Sequence, residues 1–119
     1  MNKTFVERAA LWAAIVLAVV MATLPKPPKL FIDQFGDKFE HMLAFAVIAL
    51  LAALAYPKAR LTRIAERLSF LGALIEVVQS IPTLHRDCDI MDWVADTSSI
   101  IVMLTIVALV RWGKRTARR

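Results

Sequence analysis

Polar residues in this chain fall in short intervals, and between them run four apolar stretches: Thr4 to Leu24, Phe39 to Tyr56, Ile64 to Ile81 and Trp93 to Trp112. Each is about 18 to 21 residues long, which at roughly 1.5 Å of rise per residue matches a hydrocarbon core of about 30 Å. The pattern predicts four transmembrane helices, at about 4–24, 39–56, 64–81 and 93–112, and leaves no length for a separate soluble domain. Composition points the same way. Hydrophobic residues make up 59% of the 119 positions, more than a soluble domain of this size carries. The expected fold is an all-α integral membrane protein, a four-transmembrane-helix bundle forming one domain over residues 1–119.

Lys and Arg set the expected orientation. If both termini share a side, eleven basic residues gather there, and only Lys26, Lys29, Lys38 and Arg86 lie on the other. The positive-inside rule then puts the N and C termini in the cytoplasm. Of the acidic residues only Glu7 and Glu66 fall on the cytoplasmic side. The net charge of +5 is accounted for by this bias and by contact with anionic headgroups, so no nucleic-acid partner is expected. Lys3 and Arg8 before an apolar run, with Val20-Met21-Ala22 after it, also fit a cleaved signal peptide. The run is long for that role, and a retained helix is expected instead.

Taken in order, the first helix offers Ala9, Ala10, Ala13, Ala14, Ala18 and Ala22 as small faces for close packing. Pro25, Pro27 and Pro28 should end it. Lys29 to Phe35 then reads either as an interfacial stretch lying along the headgroups or as a simple wet loop. The short basic turn from Pro57 to Arg63 makes the second and third helices antiparallel neighbours.

Against this background the polar residues within the spans stand out. Glu76 lies in the run from Phe70 to Ile81, where an ionisable group is costly unless it has partners. Ser69, Gly72, Glu76 and Gln79 recur at spacings of three, four and three, a small and polar stripe on one helical face. Gly72 should admit another backbone beneath Glu76, and Gln79 should bond above it. Glu76 itself falls roughly 7 Å below the outer helix end. On the second helix Asp37, Lys38 and His41 can share a face at the outer end. Taken alone, Asp37 and Lys38 read as an N-cap and a snorkelling charge. On the fourth, Asp92 reads as an N-cap, while Asp96 and Ser99 lie inside the span, and Trp93 and Trp112 mark the two interfaces.

The loop between the third and fourth helices supplies Arg86, a natural bidentate partner for a carboxylate or phosphate. His85, Asp87, Cys88 and Asp89 suggest a metal, but adjacent loop residues do not make a coordination shell, so neither metal nor cofactor is expected. Cys88 is the only cysteine and forms no intrachain disulfide.

Three helices and one loop thus bring Asp37, Lys38, His41, Glu76, Gln79, Arg86, Asp92 and Asp96 to the outer third of the membrane. Such a set forms either a buried ion-pair network that fixes the bundle or a polar pocket open to the extracytoplasmic side.

The motifs Asp37-Lys38-x-x-His41-x-x-x-Phe45, Gly72-Ala73-x-x-Glu76-x-x-Gln79, then Pro82, Arg86 and Asp92-x-x-Ala95-Asp96 resemble the VanZ-like family of small bacterial membrane proteins. They cover about half the chain, in the family's order. The resemblance implies a multi-pass protein of the bacterial plasma (inner) membrane, linked to the cell envelope and to resistance against teicoplanin-like glycopeptide antibiotics. It carries over to Asp37, Lys38, His41, Glu76, Gln79, Arg86 and Asp92. The chain departs from it at Asp96 and Ser99, where the family commonly has Asn and Gly, so ligand preference does not transfer directly.

Three functions are weighed. The first is a non-enzymatic protein that binds a cell-envelope amphiphile, with Lys38, His41 and Arg86 holding an anion and Glu76 and Asp96 orienting them. The second is a membrane-embedded hydrolase or transferase acting on lipids, with His41 or Glu76 as general base and Asp37 orienting the histidine. Ser80, Thr83 and Ser98 lie at the right level but in no nucleophile motif. The third, an ion pathway, lacks polar residues below Gly72 and Ser99. The expected partners are membrane lipids or cell-wall precursors, and nothing in the sequence opposes a homo-oligomer.

Overall fold

The structure, a computed structural model, describes residues 2–24, 37–81 and 90–118, and for residues 37 and 38 the backbone alone. These residues form four helices: α1 (Lys3–Thr23), α2 (Asp37–Ala55), α3 (Leu61–Gln79) and α4 (Ile90–Ala117). The fold is all-helical. The residues expected to form the first outer loop, including Pro25 to Phe35, and those of the second, including Thr83, His85, Arg86, Asp87, Cys88 and Asp89, lie outside the described residues.

α1 begins with Asn2, whose side chain accepts the Phe5 amide at 2.7 Å, a side-chain N-cap. It ends at Leu24, whose extended backbone suits a residue preceding proline. α2 is the central element, touching all three other helices and α4 most extensively. Its buried face is Phe45, Ile48, Ala49, Ala52 and Ala53, recurring at helical spacing, and the alanines let neighbouring helices approach closely. On α1 the packing face is Leu11, Ala14, Ile15, Ala18 and Ala22. Ala9, Ala10 and Ala13 face outward, so only half of the expected alanine surface is used.

On length and composition, α1 and α4 could each cross a membrane, while the apolar part of α2, Phe39–Ala55, is shorter. Four spans were expected, but α3 holds Arg63, Glu66, Arg67 and Glu76 within its 19 residues, which interrupts its apolar run. α4 is longer than the sequence pattern implies, with 28 residues that start one turn before Trp93 and continue past Trp112. Its buried residues, Asp96, Ser99, Ile100 and Leu104, lie in the first half, so the rest extends beyond the packed helices. Lys114 and Arg115 in its last turn complement the negative end of the helix dipole.

The basic end of the bundle is tied together by side chains. Arg111 Nη2 donates to the Ala53 carbonyl at 2.9 Å, and Arg8 Nε donates to the Ala55 carbonyl at 3.3 Å. Both acceptors are last-turn carbonyls of α2, which have no partner inside the helix. Basic residues read from sequence as topological markers therefore also cap a helix.

Candidate functional site

The apolar core runs along α2 into α3 and α4, and the polar residues interrupt it at one level. On α3, Gly72, Glu76 and Gln79 are all buried, at the spacings that put them on one face. From α4, Asp96 enters the same region at 1% exposure. Its carboxylate lies in Coulombic range of Glu76 and Asp92, so three acidic groups share this end of the bundle.

Gly72 is where three helices meet. A β-carbon there would lie 3.5 Å from Trp93 Cδ1, 3.6 Å from Phe45 Cζ and 3.8 Å from Asp96 Oδ2. The neighbours at Gly72 are thus side chains from α2 and α4, in ordinary van der Waals contact, where another helix backbone was expected. His41, one turn before Phe45 on α2, is half-buried, and four-residue spacing places it on the same face. No hydrogen bond joins it to Glu76 or Asp96, contrary to the expectation that His41 would partner Glu76. The backbone of Asp37 and Lys38 starts α2. Arg86 lies outside the described residues.

A further correction concerns a partner. Gln79 does not bond back to Glu76: its Nε2 donates to the Ala22 carbonyl of α1 at 2.8 Å, satisfying a last-turn acceptor of another helix. The Trp93 indole N–H donates to the Ser69 carbonyl at 2.9 Å, a contact that joins α4 to α3. Ser69 Oγ also lies 2.9 Å from Thr97 Oγ1, and Ser99 Oγ donates to the Met42 carbonyl at 2.5 Å. Asp92 is not the N-cap. α4 begins at Ile90 and Asp92 lies within its first turn, a position where a negative charge favours the helix dipole.

Sequence reasoning passed over Glu40, whose Oε1 is shielded from solvent. Its signal was its place between Phe39 and His41 in an apolar run. Thr97 was also missed, although it lies next to Asp96.

Among the described residues, Asp96 Oδ1 and Gln79 Oε1 are buried at this site and accept no hydrogen bond. Gln79 is 2% exposed, and its amide N–H is already committed to α1. A buried acceptor without a donor is costly, by about 1 to 3 kcal/mol, so both oxygens suit a hydrogen-bond donor supplied from outside the helices. For catalysis the arrangement offers less. Ser80 donates to the Val77 carbonyl of its own helix at 2.5 Å and Ser98 is exposed, so among the described residues neither hydroxyl pairs with His41 or Glu76 as a nucleophile would with its base. No three metal-ligating side chains converge among the described residues.

Compared with protein-family models, curated proteins and solved structures, the chain gives no match.

Proposed function

We propose that this chain is a multi-pass protein of the bacterial plasma membrane, VanZ-like in type, whose extracytoplasmic-side polar site binds the head of a cell-envelope amphiphile. In this reading all four helices span the bilayer and both termini are cytoplasmic. Large apolar side chains such as Val16, Leu17, Ile101, Val102 and Leu109 are half exposed or more, which suits contact with lipid. The observation that carries the reading is Asp96: a carboxylate 1% exposed, with Oδ1 accepting no hydrogen bond among the described residues, in Coulombic range of Glu76 and Asp92. Clustered ionisable groups inside a span are expensive and are kept where they hold something. A ligand head with hydroxyl or amine donors would meet Asp96 and Gln79, while Lys38, His41 and Arg86 would hold an anionic group. A contribution to glycopeptide resistance would follow from occupying or shielding such a precursor.

The test is to incubate the purified protein with labelled lipids and cell-wall precursors. Binding predicts that a precursor is retained unchanged; its conversion to product would support the hydrolase or transferase instead.

A second reading has its own support. Gln79 to Ala22, Trp93 to Ser69 and Ser99 to Met42 are all inter-helix hydrogen bonds, as expected of a polar network whose work is to fix the bundle.

A further inference from the structure

At the opposite end of the molecule Arg8 is held in a way that helix capping alone does not require. Its Nε donates to the Ala55 carbonyl at 3.3 Å, and its guanidinium carbon lies 4.4 Å from the centroid of the Tyr56 ring. Tyr56 is positioned in turn, because its hydroxyl accepts the Trp12 indole N–H at 3.3 Å. The stack fixes the plane of the guanidinium and the carbonyl takes one edge, yet Arg8 remains exposed. A guanidinium has five N–H donors, and its free edge has the geometry of a bidentate phosphate fork.

Arg8 also lines an open groove of about 410 Å³, together with Asn2, Thr4, Phe5, Ala9 and Trp12. The lining is mostly apolar, and Phe5 and Trp12 are more than half exposed. Charge at this end is one-sided among the described residues: Lys58, Arg60, Arg63 and Arg67 follow α2, Arg111, Lys114 and Arg115 close α4, and of those residues only Glu7 and Glu66 oppose them. An aromatic and aliphatic wall beneath a pinned guanidinium, in a basic surround, matches one kind of occupant, with a negative phosphate at one end and a hydrocarbon chain at the other.

We propose that this groove seats an anionic phospholipid of the cytoplasmic leaflet, its phosphodiester held by Arg8 and its acyl chain lying along Phe5, Ala9 and Trp12. The inference rests on the membrane placement proposed above but not on the ligand of the outer site. Anionic headgroups attract basic juxtamembrane residues generally; here the fixed guanidinium adds a defined geometry to that attraction.

The experiment uses the full chain in zwitterionic micelles, titrated with phosphatidylglycerol, with phosphatidylcholine and with inorganic phosphate, and reads retained lipid by native mass spectrometry. Phosphatidylglycerol should be retained in preference to phosphatidylcholine, and inorganic phosphate should not displace it. Arg8→Gln should weaken retention about tenfold, as expected for a lost charge-assisted pair. Because Arg8 also caps α2, Trp12→Leu provides a second variant, which keeps the Arg8 charge but removes the aromatic wall and the hydrogen bond to Tyr56, and should weaken retention as well. Lys114→Gln, which removes a charge at the same end but outside the groove, should not. Equal retention of the two lipids, displacement by inorganic phosphate, or the same loss in Lys114→Gln as in Arg8→Gln would overturn the proposal. Failure of the membrane placement would look different, as protein recovered in the aqueous fraction without detergent.

Discussion

Gln79 is the residue whose role changed most between sequence and structure. Its spacing from Gly72 and Glu76 correctly turned it inward, but its partner is a carbonyl 57 positions away on α1. Periodicity assigns a face and does not say which helix that face meets. Gln79→Leu removes the donor and strands the buried Ala22 carbonyl, at a cost of about 1 to 3 kcal/mol that loss of the buried Gln79 Oε1 partly offsets, and should lower the thermal midpoint in micelles modestly. The inward positions of Glu76, Asp96 and Ser99 were legible in the same way, as polar residues at helical spacing in apolar runs. At Gly72 an added methyl meets only ordinary contacts, the nearest at 3.5 Å. Gly72→Ala should therefore be neutral or raise stability by up to about 1 kcal/mol, since glycine in a helix interior costs backbone entropy. Gly72→Leu should be clearly destabilising in the same melt, because Trp93, Phe45 and Asp96 close the space.

At the scale of the elements, the four helices were legible from hydrophobic pattern and their number is unchanged. Their ends were less so. α3 begins at Leu61, before its apolar run, because the turn after Pro57 is short and Arg60 already has extended backbone with no side-chain cap. α4 extends to Ala117, since lysine and arginine continue a helix as readily as they mark a membrane boundary. The capping of α2 by Arg8 and Arg111 could not be read from sequence at all, because it depends on three helices meeting at one end. Arg111→Gln should cost about 0.5 to 1 kcal/mol through the loss of a cation at a helix C-terminus. Arg111→Lys should recover part of it, and the two melting curves check this directly.

For the whole molecule, the bundle has polar and acidic groups buried toward one end and arginines at the other, joined by helices with apolar outer surfaces. If both termini are cytoplasmic, single cysteines placed at Asn2 and Arg118 in a Cys88→Ser background should resist a membrane-impermeant thiol reagent in intact cells and react after lysis. The central claim is that the buried acidic site holds a ligand in addition to holding the helices together. Glu76→Gln tests it most directly, because it removes one charge while keeping the size of the side chain and one acceptor oxygen. The decisive measurement is retention of a labelled cell-envelope precursor by this variant, read beside its thermal midpoint. A binding site predicts a midpoint close to the parent protein's and retention lost by tenfold or so, the effect of about 1.4 kcal/mol. Unchanged retention, or a loss that appears only together with unfolding, would contradict the account.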